Sequence, residues 1–143
     1  MDPVSKNIEI LLVEDNPADA RLIMEAFKES KVLNKLSHAN TGEEALEYLH
    51  SAASNHHRPD LIFLDLKLPG KSGFEVLSEI KSDPKFMKIP VVIISGLNSA
   101  ESISRSYQLN ANCYITKPTN NREFSDMIKT IEGFWFDIAK LPF

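Results

Sequence analysis

Five short apolar runs alternate with longer amphipathic stretches along most of the chain, and this alternation constrains the fold more than any other feature. Each run has the length and the bounding residues of a buried strand, and each longer stretch repeats apolar residues at helical spacing. The runs lie at Ile8–Val13, about 35–39, 61–64, 90–95 and 113–116. Strands that alternate with helices form a parallel sheet with helices on both faces, and right-handed crossovers favour a doubly wound topology. We therefore predict an α/β fold, a doubly wound five-stranded parallel sheet with (βα)5 organisation.

The alternation runs without an internal linker or a repeat, and 143 residues suit a single domain. We expect one domain over residues 1–143, with its core at about 8–139 and an aromatic C-terminal extension at 133–143. We expect no output domain after the last helix, so that output would come from binding.

Local signals predict where several helices begin and end. Asn16-Pro17 is typical of a helix N-cap followed by proline at the first helical position. Thr41 and Glu44 have the spacing of a capping box. The polar stretch 51–59 is interpreted as an exposed connection, and the final helix is expected at about 121–139.

Composition excludes several classes of function. The net charge is −4 and no basic run is present, so we expect no nucleic-acid partner. No apolar stretch reaches the length of a membrane span, so we expect no membrane partner. The single cysteine, Cys113, excludes an internal disulfide and suits a reducing compartment, which predicts a cytoplasmic protein.

Polar residues follow four of the predicted strands. Glu14 and Asp15 follow the first strand, Asp65 the third, Ser95 ends the fourth, and Lys117 follows the fifth. Ligands of open parallel sheets bind at the carboxyl ends of the strands, so these side chains are expected to converge. Taken singly, each has a structural explanation, such as a helix cap or a solvated loop residue.

Together, these residue types suit phosphoryl transfer onto a carboxylate. Clustered carboxylates need a cation, and oxygen ligands suit Mg²⁺, so Glu14, Asp15 and Asp65 are predicted metal ligands, with the backbone carbonyl of Lys67 as a further one. Asp65 would be the nucleophile. The ammonium group of Lys117 would hold a phosphate oxygen, and the hydroxyl of Ser95 would donate a hydrogen bond to the product phosphoryl group.

The chain resembles the receiver domain of CheY-like response regulators, which act in two-component signalling. The resemblance rests on four motifs in the order and spacing of that family. They are LLVEDNPAD at 11–19, LIFLDLKLPGKSG at 61–73, PVVIISG at 90–96 and YITKP at 114–118. It implies the flavodoxin-like fold of CheY and a role in a phosphorelay.

The resemblance also implies roles for individual residues. Asp65 would be phosphorylated by a histidine kinase or a phosphotransfer protein with Mg²⁺, and Ser95 and Tyr114 would form a switch. The peptide bond between Lys117 and Pro118 is commonly cis in such domains. The sequence departs from the family's pattern at Asn110, where glycine is frequent, and at Lys67, a position that influences the lifetime of the phosphorylated form.

The aromatic end of the chain resembles that of small regulators paired with phytochrome-type histidine kinases, which tend to dimerise there. Phe134 and Phe136 lie beside or off the core stripe of the last helix and are predicted interface residues. The alternative is that this end covers the domain's own core.

Three other functions remain open at this stage. Aspartate-nucleophile phosphatases resemble this site, but they place an acidic residue where this chain has Lys67. A flavodoxin-type flavin carrier shares the alternating pattern, although Glu14 and Asp15 would repel its phosphate. A degenerate receiver would bind partners without being phosphorylated.

Overall fold

The computed structural model describes residues 8–29, 33–54 and 58–133. These residues form five parallel strands and five helices in strict alternation. The strands are β1 (Ile8–Val13), β2 (Asn34–Ala39), β3 (Leu61–Leu64), β4 (Val91–Ser95) and β5 (Cys113–Thr116). The helices are α1 (Pro17–Lys28), α2 (Gly42–Ser54), α3 (Gly73–Ser82), α4 (Ala100–Gln108) and α5 (Asn121–Gly133).

The sheet has the strand order β2-β1-β3-β4-β5, which confirms the predicted doubly wound fold. Its register brings the ends of β1 and β3 level, because Val13 pairs with Leu64. Strand β4 runs two residues further, to Ser95, because Leu64 pairs with Ile93. The next residues along β1 and β3, Glu14 and Asp65, therefore emerge side by side at the carboxyl edge.

Each central strand contributes apolar side chains to both faces of the sheet, as expected of a strand covered by helices on both sides. On one face, α2 and α3 cover residues such as Leu11, Ile62 and Ile93. On the other face, α1 and α5 cover residues such as Leu12 and Phe63. The two cores leave the carboxyl edge of the sheet as the place where polar groups gather.

Helix α2 continues further than the sequence indicated, since residues 51–54 are helical and not part of an exposed connection. The reason is packing, because Ala45, Leu49 and Ala52 continue one buried face at helical spacing. His56 and His57 lie outside the described residues. At the start of the helix, Thr41 Oγ1 accepts a hydrogen bond from Glu44 N at 3.1 Å.

Two expectations about the backbone have different outcomes. Asn110 has a φ of 72°, so asparagine adopts the left-handed geometry in place of the family's glycine. The Lys117–Pro118 bond is trans, since no peptide bond among the described residues is cis. Trans is the intrinsically favoured form even before proline. No helix of the described ranges is long and apolar enough to cross a membrane.

Candidate phosphoryl-acceptor site

The carboxylate of Asp65 is held at the end of a fully buried strand. All four residues of β3 are buried, and Asp65 N donates to Val13 O at 3.0 Å, which extends the ladder by one residue. Helix α3 approaches closely at Gly73, where a Cβ atom would lie 2.3 Å from the carbonyl oxygen of Asp65. The side chain of Asp65 is 6% exposed, so the carboxylate is nearly buried.

Lys117 brings an ammonium group to this carboxylate from the other half of the sheet. Its backbone N–H donates to Ser95 O at 2.8 Å, which fixes the end of β5 beside the end of β4. Its Nζ atom lies 2.6 Å from Glu14 Oε1 and 3.2 Å from Asp65 Oδ2. Side chains that are far apart in the sequence thus gather in one anionic pocket.

The pocket contains a set of oxygen ligands that fits a divalent cation. Glu14, Asp15 and Asp65 each offer one carboxylate oxygen, and these atoms all lie within 4.8 Å of one another. Glu14 and Asp65 are buried, whereas Asp15 is exposed and leaves the site open to water. Carboxylate oxygens with access for water suit Mg²⁺, which keeps part of its hydration shell.

The electrostatics of the pocket show how strongly its charges interact. Burial, followed by the charge of Asp65, raises the pKa of Glu14, and Lys117 opposes the rise. Burial lowers the pKa of Lys117, but the hydrogen bonds that it donates to Glu14 and Asp19, together with the charge of Asp65, outweigh this effect, so that the pKa is raised. Lys117 therefore stays charged among carboxylates, and a divalent cation would relieve their repulsion.

Ser95 and Tyr114 lie on the β4 side of the pocket. Ser95 is completely buried, and its Oγ accepts a hydrogen bond from Leu97 N at 3.2 Å. The hydroxyl of Tyr114 donates to Leu97 O, so this half-buried ring is directed toward the β4–α4 loop. Burial and the charge of Asp65 raise the pKa of Tyr114, whereas a hydrogen bond with Ser95 opposes the rise. The two predicted switch residues thus contact the same loop.

Lys67 follows the acceptor strand with an exposed side chain. Its backbone N–H faces Asp65 Oδ1 at 3.4 Å, the long end of the hydrogen-bond range. The short loop after β3 thus keeps the backbone of Lys67 next to the carboxylate.

Comparison with known proteins assigns the family. The family model of the response regulator receiver domain matches residues 10–129, which is most of the chain. The chain belongs to the response regulator receiver family. It is the receiver domain of a two-component response regulator, as the sequence motifs predicted.

Among its relatives is the response regulator Rcp1 of Synechocystis, which is 42% identical over 135 residues and matches 93% of this chain and 92% of Rcp1. The crystal structure of the phosphorylated cyanobacterial phytochrome response regulator RcpA superposes with a TM-score of 0.92. It is 47% identical and covers 96% of this chain and 100% of RcpA. The Mn²⁺-bound form of Rcp1 superposes with a TM-score of 0.90 at 40% identity, over 95% of this chain and 99% of Rcp1.

One residue of this receiver's pocket was missed by sequence reasoning. Asp19 Oδ2 lies 2.9 Å from Lys117 Nζ, closer than the oxygen of Asp65. The first motif contains Asp19, but the residue falls in a helix and not at a strand end, which hid it from the strand-end argument. Its place in the first turn of the helix that Asn16 and Pro17 begin, close after Glu14 and Asp15, is the signal that could have found it.

Two predicted interface residues belong to the C-terminal end of the chain. Phe134 and Phe136 lie outside the described residues, so their role stays a prediction.

Proposed function

We propose that this receiver accepts a phosphoryl group on Asp65 from a histidine kinase or a phosphotransfer protein, in a Mg²⁺-dependent reaction, and signals by altered protein binding. The observation that supports this most strongly is the pocket itself. A nearly buried carboxylate lies 3.2 Å from an ammonium group and within 4.8 Å of two further carboxylates.

The proposed reaction is a displacement at phosphorus. A carboxylate oxygen of Asp65 attacks the phosphorus atom, and a new O–P bond forms. The bond from phosphorus to the donor's nitrogen or oxygen breaks, and the donor leaves with the electron pair. The ammonium group of Lys117 holds an oxygen of the transferred group, while the buried hydroxyl of Ser95 donates a hydrogen bond to the product.

The residues that would hold Mg²⁺ are Glu14, Asp15 and Asp65, together with the backbone carbonyl of Lys67. A bound divalent cation would neutralise charge on the carboxylates and on the transferring oxygens. The Mn²⁺-bound structure of the relative Rcp1 supports a divalent ion in this family.

The proposed output is a change at the β4–α4 loop. Ser95 Oγ and the hydroxyl of Tyr114 are both hydrogen-bonded to the backbone of Leu97. A movement of the Ser95 hydroxyl toward the phosphoryl group would therefore alter the position of Tyr114. The receiver would catalyse at most its own phosphorylation and dephosphorylation.

The partner and the assembly form a further part of the proposal. Similarity to RcpA, a phytochrome response regulator, supports a phytochrome-type histidine kinase as the donor. We propose a cytoplasmic location and a homodimer formed through residues 133–143, including Phe134 and Phe136. Light scattering of the full chain would test the dimer, which a double change of both phenylalanines to aspartate is expected to dissociate.

Phosphoryl uptake tests the acceptor assignment. The protein is incubated with Mg²⁺ and acetyl phosphate, and intact mass is measured. We expect one added phosphoryl group, no uptake without Mg²⁺ and none in Asp65→Asn. The matched control is Asp60→Asn, the same change at the opposite end of β3, where Asp60 Oδ2 accepts a hydrogen bond from Glu9 N at 2.9 Å. Equal uptake by Asp65→Asn would refute the assignment.

A further inference from the structure

Asp19 contacts Lys117 in the pocket but has no role in the proposed reaction. It lies in the first turn of α1, where Asn16 caps the helix and Pro17 is the first helical residue. Asn16 Oδ1 accepts a hydrogen bond from Asp19 N at 3.1 Å, so the cap fixes the backbone of Asp19. The side chain is 23% exposed and reaches Lys117 Nζ at 2.9 Å. The capped first turn of α1 therefore positions Asp19 next to Lys117.

The ammonium group of Lys117 has three N–H donors and three carboxylate neighbours. Glu14 lies at 2.6 Å, Asp19 at 2.9 Å and Asp65 at 3.2 Å. A phosphoryl group on Asp65 needs one of these donors, so the other carboxylates compete with it. Within the described residues Glu14 and Asp65 belong to the cluster that fits a metal, whereas Asp19 does not.

We infer that Asp19 is a positioning residue that holds the ammonium group of Lys117 and limits how much of its charge is available to an incoming phosphoryl group. This inference rests on the proposed function of the pocket. Asp19 lowers the affinity of the pocket for anionic phosphodonors and raises its affinity for Mg²⁺. Asp19 therefore sets the ratio of the affinity for the phosphodonor to the affinity for Mg²⁺.

The opposite signs follow from Coulomb's law. Asp19 adds a negative charge next to a pocket that must bind both a cation and an anion. Removing that charge leaves the charge of Lys117 less compensated, so an anion binds more tightly and a cation less tightly. Loss of packing or of hydrogen bonds alone would weaken both, because both need the same arrangement of carboxylates and ammonium.

The test compares three variants of the full chain. Asp19→Asn removes the charge and keeps an oxygen that accepts from Lys117, whereas Asp19→Glu keeps the charge. The matched control is Glu25→Gln, which removes one negative charge from the same helix, where Glu25 pairs with Arg21 at 3.1 Å. Two quantities are measured: the acetyl phosphate concentration that gives half-maximal rate of uptake at saturating Mg²⁺, and the Kd of Mg²⁺ by calorimetry.

For Asp19→Asn we expect the half-maximal acetyl phosphate concentration to fall and the Kd of Mg²⁺ to rise, each by about threefold to tenfold. Glu25→Gln should stay within about twofold of the natural chain for both quantities. Asp19→Glu keeps the charge, so both of its values should lie closer to those of the natural chain than the values of Asp19→Asn. The inference is overturned if Asp19→Asn matches Glu25→Gln, or if it weakens both reactants together.

Failure of the proposed function would look different from failure of this inference. If the natural chain takes up no phosphoryl group, or if Asp65→Asn takes it up equally well, the acceptor assignment fails and the role of Asp19 fails with it. If uptake depends on Asp65 but not on the charge of Asp19, only the present inference is wrong.

Discussion

Helix α3 precedes β4 in the chain and helix α4 follows it, but the two helices are attached to the sheet in different ways. Helix α3 buries Gly73, Val76, Leu77 and Ile80 against the sheet. Of the nine residues of α4, all of which the structure describes, only Ser106 is buried. The site thus has a tightly packed side, which carries the acceptor strand, and a loosely packed side next to Ser95.

Helix α4 is attached mainly by contacts that are individually weak. The hydroxyl of Tyr107 accepts a hydrogen bond from Tyr114 N at 3.1 Å, although Tyr107 is 48% exposed. The guanidinium of Arg105 lies 4.1 Å from the centre of the Phe74 ring. Exposed contacts of these kinds contribute about 1 kcal/mol or less each. The comparison predicts that a change at the site displaces α4 more easily than α3.

The largest predicted difference is in core packing. Leu77→Ala removes a fully buried side chain from α3, and we expect a loss of about 3 kcal/mol in the free energy of unfolding. Ile103→Ala, the matched truncation on α4, removes a half-buried side chain and should cost about 1 kcal/mol. Urea unfolding measures both values. Equal losses would contradict the comparison.

A smaller effect is expected from the two glycines that flank the site. In Gly73→Ala the new Cβ would meet backbone atoms of Asp65 and Leu66 at 2.3 and 2.5 Å, and neither can move freely. We expect a loss of about 2 kcal/mol in the free energy of unfolding. Slower phosphoryl uptake should accompany it, because the acceptor strand shifts.

Gly96→Ala is the control on the loosely packed side. A Cβ atom at Gly96 meets nothing within 4 Å, so its stability should stay within about 0.5 kcal/mol of the natural chain. Similar losses from the two substitutions, in urea unfolding, would show that α3 is not held more tightly than the β4–α4 loop.

The hydrogen bond between Tyr107 and Tyr114 gives a still smaller effect. Tyr107→Phe removes the acceptor of Tyr114 N and should cost about 0.5–1 kcal/mol. Hydrogen exchange at the amide of Tyr114 should accelerate. The matched control is Tyr48→Phe, which removes a hydroxyl that accepts from Ser37 Oγ at 3.1 Å, near β2 at the opposite edge of the sheet. If both variants leave exchange at Tyr114 unchanged, the bond does not hold α4.

The smallest predicted effect concerns Arg105. Arg105→Gln removes the cation from the Phe74 ring and should cost about 0.5 kcal/mol, with a change in the NMR signals of that ring. Arg21→Gln, which breaks an exposed pair with Glu25, should leave those signals unchanged. Identical ring signals in the two variants would exclude the contact as a link between α3 and α4.

Much of the architecture was predictable because it depends on local patterns. The apolar runs gave the five strands within about one residue, and the alternation gave the parallel sheet. The strand-end rule predicts that Glu14, Asp65 and Lys117 lie close together, and the structure brings them together. These features depend on periodicity and on topology, which a single sequence carries.

Other features depend on packing that no local pattern records. The polar composition of residues 51–59 predicts an exposed connection, but the buried Ala52 extends α2 to Ser54. The contact of Asp19 with Lys117 joins residues 98 positions apart, through the path of a helix relative to a loop. The exposure of Tyr107 depends on how far α4 lies from the sheet. These distances depend on the tertiary packing.

The most direct test of the central claim is to locate the phosphoryl group. After reaction with Mg²⁺ and acetyl phosphate, borohydride reduces an aspartyl phosphate to homoserine, which peptide mass spectrometry assigns to one position. The account predicts homoserine at position 65 alone. Homoserine at position 15 or 19, or a phosphorylated protein with unchanged aspartates, would contradict it.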